Sequence, residues 1–580
     1  MKTRIQFILL ISILVTCSCD NKLGKITGYW EVTYTDSISY TKQILHFEKD
    51  RGTLKLTIDE PLDGTLGVPG EKPFFANDSL HFESMWGLFK YDGKFVSGDS
   101  LIHGIRVVND GYPTPFVMRS ISEKKLLYKI PRVNFNGERI YNYSYHKPLQ
   151  KDDGLECSTL SEAGIDSTYI YKLIENILKG KMATIHSLLI VKDNKLVLEE
   201  YFHNYDNNKL HSLESVTKSF TSSLIGIAID KKFIPDVNEP VWHYFEKWDS
   251  TQWFKKKYDI KIKNLLTMTA GLDWKPFTPN KFNDDVNIYT SPDWIKYILN
   301  KDLKDKPGDK FFYNNRLMFL QGHIIEESSG LSVDSFATKY LFNELGIKYH
   351  KWEVYDNGIT ETGGGLKLLP RDMMKFGLMY LNHGEWQGKQ VISPEWIKSS
   401  TENQVHSNNQ EYGYNWWIKS YNINQQTFNT YYALGHGEQL IMAIPNANTV
   451  FVMTAGNYFQ TPQRQDEIMR DYILPSLTTN NEKTQSSTEI SMRDVVGEYE
   501  INAEETIKIE IADNTLVAIE PSGERFKLLP KSSGFYLVEN SPREVRFIYD
   551  ETKTIVAAEI FVNGENVERL NKTKKFYRSR

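Results

Sequence analysis

The sequence predicts a multidomain chain in which a central α/β region, helices mixed with strands, lies between two all-β regions. Three observations predict it. Residues 25 to 150 hold short runs of alternating apolar and polar residues, broken by Gly, Asp, Asn and Pro turns such as "PLDGTLGVPGEKP". From 158 to 478 the pattern changes to long apolar runs at helical spacing with a few strands between them. Beyond the polar, aperiodic stretch 479–491, which reads as a linker, alternation returns from 492 to 580. At 580 residues the chain exceeds what one hydrophobic core supports, so more than one domain is expected on length alone.

Taken in order, the first element is an export signal. Lys2 and Arg4 precede the apolar run from Ile5 to Val15, which is too short to span a bilayer and has the basic flank of a signal peptide over residues 1–18. The following "TCSCD" resembles a bacterial lipobox, with Cys19 the acylated residue; Cys17 fits less well because Thr16 before it is bulky. A single lipidated cysteine implies anchoring to a membrane face of the cell envelope, periplasmic or external, without insertion through it. Cys157 then remains as a lone thiol, so no disulfide framework is expected, and "GLECSTL" has neither helix nor glycine elbow to make it a nucleophile. The net charge of −5 and the lack of any basic block argue against nucleic acid as a partner.

The first β region offers "YWEVTY", "QILHFE", "TLKLTI", "SLHFES" and "LLYKI" as strands of a barrel or sandwich. In the middle, "SLLIVKDNKLVLEEYF" reads as a hairpin with an Asp-Asn turn, and "DMMKFGLMYLNHG" as a helix closed by glycine. The last region carries Ile507, Ile509 and Ile511 on one strand face. "GYWEV" at 28 and "GEYEI" at 497 open the two β regions in the same way, and neither region shows a catalytic constellation.

Chemistry concentrates in "LESVTKSFTSSLIGIAIDKK" (213–232). Ser-x-x-Lys occurs four times, at Ser39, Ser122, Ser144 and Ser215, but only Ser215–Lys218 precedes an apolar helix, with Phe220, Leu224, Ile227 and Ala228 at helical spacing. Spacing i, i+3 puts both side chains on one face, one turn apart. A serine nucleophile needs a base, and a lysine in apolar surroundings can serve as one, because burial disfavours the ammonium form. The N-terminus of that helix would also favour negative charge developing beside Ser215. The plain alternative is a capping serine and a solvated first-turn lysine. Two further stretches add to it. "KPGDKFFYNNRLMFLQG" (306–322) places Tyr313, Asn314 and Asn315 before a helix; a tyrosine hydroxyl can relay a proton and an asparagine can hold a substrate amide. "YYALGHGEQLIMAIPNANTVFVMTAGN" (431–457) reads as the central hairpin of a sheet opened by His436, Gly437, Glu438 and Gln439, whose edge could lie along an extended substrate.

In this order the three pieces resemble the penicillin-recognising serine hydrolases: class C β-lactamases, D-alanyl-D-alanine carboxypeptidases, D-aminopeptidases, family VIII esterases and aminohexanoate-oligomer hydrolases. Stretches at 262–274, 291–299, 363–382, 392–397 and 412–417 add to the resemblance, which spans about 160 to 475. It implies a β-lactamase/transpeptidase-like central domain with an antiparallel sheet and a helical subdomain, flanked by lipocalin-like or barrel modules. It implies an acyl-enzyme on Ser215, acid–base work shared by Lys218 and Tyr313, and substrate held by Asn315, with His436, Gly437 and Gln439 as the third motif. The oxyanion hole would be the backbone N–H groups of Ser215 and Gln439, and no metal or organic cofactor is required. Two departures matter. His436 stands where a lysine is usual, which weakens the grip on a substrate carboxylate, and Glu438 stands where glycine is usual. Both point to a peptidase, amidase or esterase acting on neutral or amine-bearing small molecules or peptides, ahead of a dedicated β-lactamase or a transpeptidase. The competing reading is a catalytically silent surface lipoprotein that keeps the fold.

Overall fold

The computed structural model describes residues 23–478 and 495–573, apart from short internal stretches of which 249–259 is the longest. The signal region, Cys19 and the linker 479–491 lie outside the described residues. The N-terminal region is a nine-stranded antiparallel sheet between Gly28 and Ile121. The contiguous strands Thr65–Pro69 and Glu71–Ala76 pair with opposite ends of that sheet, so one bent segment draws it toward closure as a barrel. Its interior is filled by inward residues of the alternating pattern, among them Trp30, Phe47, Phe82, Tyr91 and Phe116.

The central domain is built on a second nine-stranded sheet, assembled from segments far apart in sequence. Ile185–Lys192 pairs on one side with Lys195–Tyr201 and on the other with Thr449–Ala455. The expected Asp-Asn turn is present, with Asp193 at φ 50° and Asn194 at φ 61°, the left-handed pair of a two-residue hairpin. Gln439–Ile444 and Thr449–Ala455 are buried along their whole length, as their continuous apolar runs require. Gln439–Ile444 lies between two partner strands, Thr449–Ala455 and Gln426–Gly435, and so presents no free edge for a substrate. The expectation of an edge strand there is corrected: the ten-residue strand ending at Gly435 occupies that side.

Three helices carry the site. Thr217–Asp230 is buried from Thr217 to Ala228 and has no solvent face. That explains its near-continuous apolar and small composition. Pro370–Leu381 packs between it and the sheet, with Phe376 stacked on Phe220 at 3.7 Å and Tyr380 sharing a 2.8 Å hydrogen bond with Ser223. Leu317–Ser329 packs on its other side and stops at Gly330 in the left-handed conformation.

The N-terminal sheet and the central domain belong to one compact unit, and the C-terminal region to another. That second unit contains a closed eight-stranded barrel from Gly497 to Lys572, in which Tyr499 pairs with Lys572 to join first strand to last. Of the three isoleucines on one strand face, Ile509 is buried, whereas Ile511 is 41% exposed.

Candidate active site

Ser215 sits on a single 3-10 turn, Glu214–Val216, that runs directly into the Thr217–Asp230 helix. The sequence places it at the head of the α-helix itself; the chain tightens one residue earlier, after Glu214 enters the left-handed region at φ 49°. A non-glycine residue held there costs about 1–3 kcal/mol and persists only where its surroundings dictate it. Lys218, on the first turn of the helix, is 1% exposed, and its Nζ lies 2.7 Å from Ser215 Oγ and 2.6 Å from the Gly363 carbonyl. A capping serine with a solvated lysine is therefore not the arrangement present.

The lysine is held by groups from three distant segments. Thr221 Oγ1 donates to the Thr362 carbonyl (2.8 Å) and Thr362 Oγ1 donates to that of Met318 (2.7 Å), which fixes the Thr362–Gly363 peptide over the helix. Glu361 accepts from the Gly363 N–H (2.9 Å) and from the Tyr355 hydroxyl (2.6 Å). Asn415 Nδ2 donates to the Lys218 carbonyl and to Gln321, and Ser219 Oγ donates to the Asn415 carbonyl. The Tyr313 ring lies 5.2 Å from Lys218 Nζ and stacks on Trp417. Asn314 is buried and its Oδ1 accepts from the Arg316 N–H, while Asn315 is exposed to the cleft, so the two asparagines divide turn-forming from cleft-facing positions.

The strand Gln426–Gly435 turns through His436-Gly437-Glu438 into Gln439–Ile444. A Cβ on Gly435 would overlap the Leu213 carbonyl and come within 3.0 Å of Glu214 Cβ, so only glycine lets this hairpin press against the segment carrying Ser215. His436 is exposed, and its Nε2–H donates to the Tyr458 carbonyl at 2.9 Å. Gln439 is buried; its amide is taken up by the His436 and Ala455 carbonyls and the Ala455 N–H. Glu438, at φ 74°, turns away from the cleft. It is 1% exposed and accepts from Asn457 Nδ2 and from the backbone N–H groups of Arg464 and Gln465, where the chain enters the Gln465–Ile468 turn of helix. Burial pushes its carboxyl above the usual range in spite of those donors.

The cleft above Ser215 encloses about 380 Å³, with Asn315, Glu214, Arg316, Tyr458 and Thr65 among its walls. Burial raises the Glu214 carboxyl above its usual range, and the Ser212 hydroxyl, which donates to it at 2.9 Å, pulls the other way. The structure thus gathers Ser215 and Asn315 on the cleft, with Lys218 beside the serine and the Tyr313 ring beside the lysine. His436, Gly437 and Gln439 stand in the adjoining hairpin and are not among the lining residues. Cys157 is partly buried, and burial raises its thiol, as suits an inert cysteine. Sequence reasoning missed Gly363, Glu361, Glu214, Arg316 and Thr65. The triple glycine at 363–365 was the one available signal. Among the described residues no group of three or more His, Cys, Asp or Glu side chains is placed to hold a metal ion.

Comparison with known proteins gives the following. Protein flp of Staphylococcus aureus (strain N315) is 25% identical over 210 residues, covering 34% of this chain and 41% of that protein. The 6-aminohexanoate-dimer hydrolase of Paenarthrobacter ureafaciens is 23% identical over 225 residues, covering 37% of this chain and 56% of that one. The chain thus spans about half the length of these curated relatives. Among solved structures, an octameric penicillin-binding protein homologue from Pyrococcus abyssi aligns with a TM-score of 0.42 at 18% identity, over 70% of this chain and 99% of that one. A class C β-lactamase aligns with a TM-score of 0.43 at 15% identity, over 58% and 100%. The profile of the Beta-lactamase family matches residues 174–473, just over half of the chain. The central region has the β-lactamase/transpeptidase-like fold between two all-β domains, and the chain belongs to the Beta-lactamase family of hydrolases.

Proposed function

We propose that the protein is a serine hydrolase that cleaves an amide or ester bond through an acyl-enzyme on Ser215. The observation that carries this reading is the 2.7 Å approach of Lys218 Nζ to Ser215 Oγ beneath an open cleft. Ser215 Oγ attacks the substrate carbonyl while its proton passes to the amine of Lys218, with the Tyr313 hydroxyl as partner in the transfer to the leaving amine or alcohol. Because the two groups act on one proton, neither is assigned as sole base. By motif position, the donors for the developing oxyanion are the backbone N–H groups of Ser215, on the cleft, and of Gln439, in the hairpin adjoining it, each worth about 10²–10³ in turnover. Asn315 holds the substrate amide. Water then attacks the ester carbonyl, and the same pair returns the proton to Ser215.

Peptidase or amidase action is ranked above esterase action, and both above β-lactam hydrolysis. The name of one relative, 6-aminohexanoate-dimer hydrolase, is in keeping with that order. A preference for neutral or amine-bearing substrates stands on different ground from the Glu438 argument, since that carboxyl faces away. It rests on the three carboxyls of the cleft wall, Glu214, Glu353 and Glu361, which outnumber the cations Arg316 and Lys367 there. Turnover of an acidic substrate equal to that of its neutral amide removes the preference. Glu438, beside the oxyanion position, is the feature that favours a catalytically silent lipoprotein, and its side chain is buried on the side away from the cleft, which weakens that alternative. Export and anchoring through acylated Cys19 complete the proposal; incorporation of an alkynyl fatty acid that survives Cys19→Ala contradicts the anchor. The hydrolase reading is tested with a panel of aryl amides and esters. Turnover should fall to background in Ser215→Ala and by about 10³ or more in Lys218→Ala. Unchanged turnover in Ser215→Ala overturns it.

A further inference from the structure

We propose that the N-terminal β domain is part of the active site: Thr65 forms one wall of the cleft and limits the length of the substrate group that can lie beside Ser215. The inference rests on the reading of Ser215 as the reacting residue and goes beyond it, because no role in the chemistry attaches to the N-terminal domain otherwise.

Thr65 opens the strand Thr65–Pro69 of the N-terminal sheet, yet it lines the same cleft as Ser215, Asn315 and Tyr458 of the central domain. Its position is set by backbone packing. A Cβ on Gly64 would overlap the Tyr205 hydroxyl and come within 2.5 Å of the His186 ring, and a Cβ on Gly456 would overlap the Gly64 carbonyl. Two glycines thus meet across the junction, and nothing larger fits on either side. The surface receiving Gly64 is stiff. His186 stacks on Tyr205 with ring centres 4.1 Å apart. The Nδ1–H of His211 faces the Ser212 carbonyl at 2.8 Å, which leaves its Nε2 to accept from His186 Nδ1–H, also at 2.8 Å. Ser212 is itself a wall of the cleft, three residues before Ser215. The platform under Gly64 is therefore bonded directly to the segment that carries the reacting serine.

The other side of the junction is tied as firmly. Asp59, 2% exposed on the neighbouring strand Thr53–Glu60, accepts from the Gly67 N–H at 2.8 Å and so fixes Thr65–Pro69. Its second oxygen accepts from the Tyr128 hydroxyl (2.9 Å) and pairs with Lys129 (2.8 Å). The Tyr128 carbonyl accepts from His203 of the central domain at 3.0 Å. A cleft of about 380 Å³ is near the small end of ligand pockets, about 300–1,000 Å³, so one wall residue governs what fits. A junction that served packing alone would leave substrate size indifferent to residue 65.

The test measures rate constants for labelling of Ser215, in the full chain, by an ethyl-chain and a dodecyl-chain fluorophosphonate. The ratio of long to short probe should rise about 3-fold or more in Thr65→Ala and fall about 10-fold or more in Thr65→Trp. It should stay at the wild-type value in Lys55→Trp, an exposed position on the same domain. A ratio that does not move in either Thr65 variant, with wild-type Ser215 labelled, overturns the proposal and leaves the acyl-enzyme reading standing. Absence of any adduct on wild-type Ser215 removes that reading and this proposal together.

Discussion

Replacing Glu438 by glycine, the residue usual at that position, separates a structural role from a catalytic one. The carboxylate accepts from Asn457 Nδ2 and from the Arg464 and Gln465 N–H groups. Burial raises its carboxyl above the usual range, so the charge itself adds no stability at neutral pH, and the loss comes from the three donors left without an acceptor. Partly buried donors cost about 1 kcal/mol each when stranded, the low end of the range for such groups. Against that, glycine relieves the left-handed backbone at φ 74°, worth about 1 kcal/mol. The balance is a loss of about 2 kcal/mol, or about 3 °C in Tm for a domain of this size at about 2.1 cal/mol/K of unfolding entropy per residue. Because the side chain faces away from the cleft, Ser215 labelling by a fluorophosphonate should stay within about 3-fold of wild type. Scanning calorimetry and labelling kinetics on the same preparation check both halves. A Tm that does not move while the labelling rate changes by about tenfold or more would refute the reasoning, since the carboxylate would then be acting on the site.

Three other outcomes follow from particular contacts. Arg371, 4% exposed, is paired with Glu199 and Asp153, so Arg371→Ala strands the buried Glu199 carboxylate and should cost about 3–5 kcal/mol in urea unfolding; a loss under about 1 kcal/mol contradicts that account. Gly435→Ala drives a Cβ into the Leu213 carbonyl and should lower the rate of Ser215 labelling by about 10²-fold through misplacement of the serine; an unchanged rate means the hairpin does not set its position. His203 is pushed down to about 4 by burial, with the Tyr128 carbonyl opposing and Arg139 adding to the shift. The unfolded chain takes up a proton below pH ~6.5 while the folded one does not, so this stability is present above that pH and lost on acidification toward 4, on the order of 3 kcal/mol in all. Tm measured from pH 7.5 to 4.5 should fall less steeply in His203→Asn, which also tolerates the left-handed backbone at that position. Parallel slopes for the two proteins would show that another group governs the acid response.

How much of this could be read beforehand depends on sequence distance. Ser215 and Lys218 share one helix face, so their meeting follows from spacing, and the apolar run behind them announces that the helix is buried. The hairpin at 185–201 and the helix at 370–381 were legible for the same reason, since each is decided by neighbours in the chain. What stayed hidden comes from elsewhere. The Gly363 carbonyl that holds Lys218 arrives through a relay of Thr221, Thr362 and Met318, and no local pattern encodes it. The order of the central sheet, which sets Ile185–Lys192 beside Thr449–Ala455, is a tertiary choice. Which way the Glu438 side chain turns is not written in its neighbours; the N–H groups of Arg464 and Gln465, supplied by a segment after the sheet, decide it. The hairpin was expected to offer an edge because the strand before it was read as its entry, although that strand extends back to Gln426.

The most direct measurement is intact-protein and peptide mass spectrometry of the full chain after treatment with a fluorophosphonate. A single adduct located on Ser215, absent in Ser215→Ala and slowed by about 10²-fold or more in Lys218→Ala, is the predicted result. An adduct elsewhere, no adduct on folded protein, or a rate indifferent to Lys218 would contradict the claim that the lysine buried under this cleft activates the serine beside it.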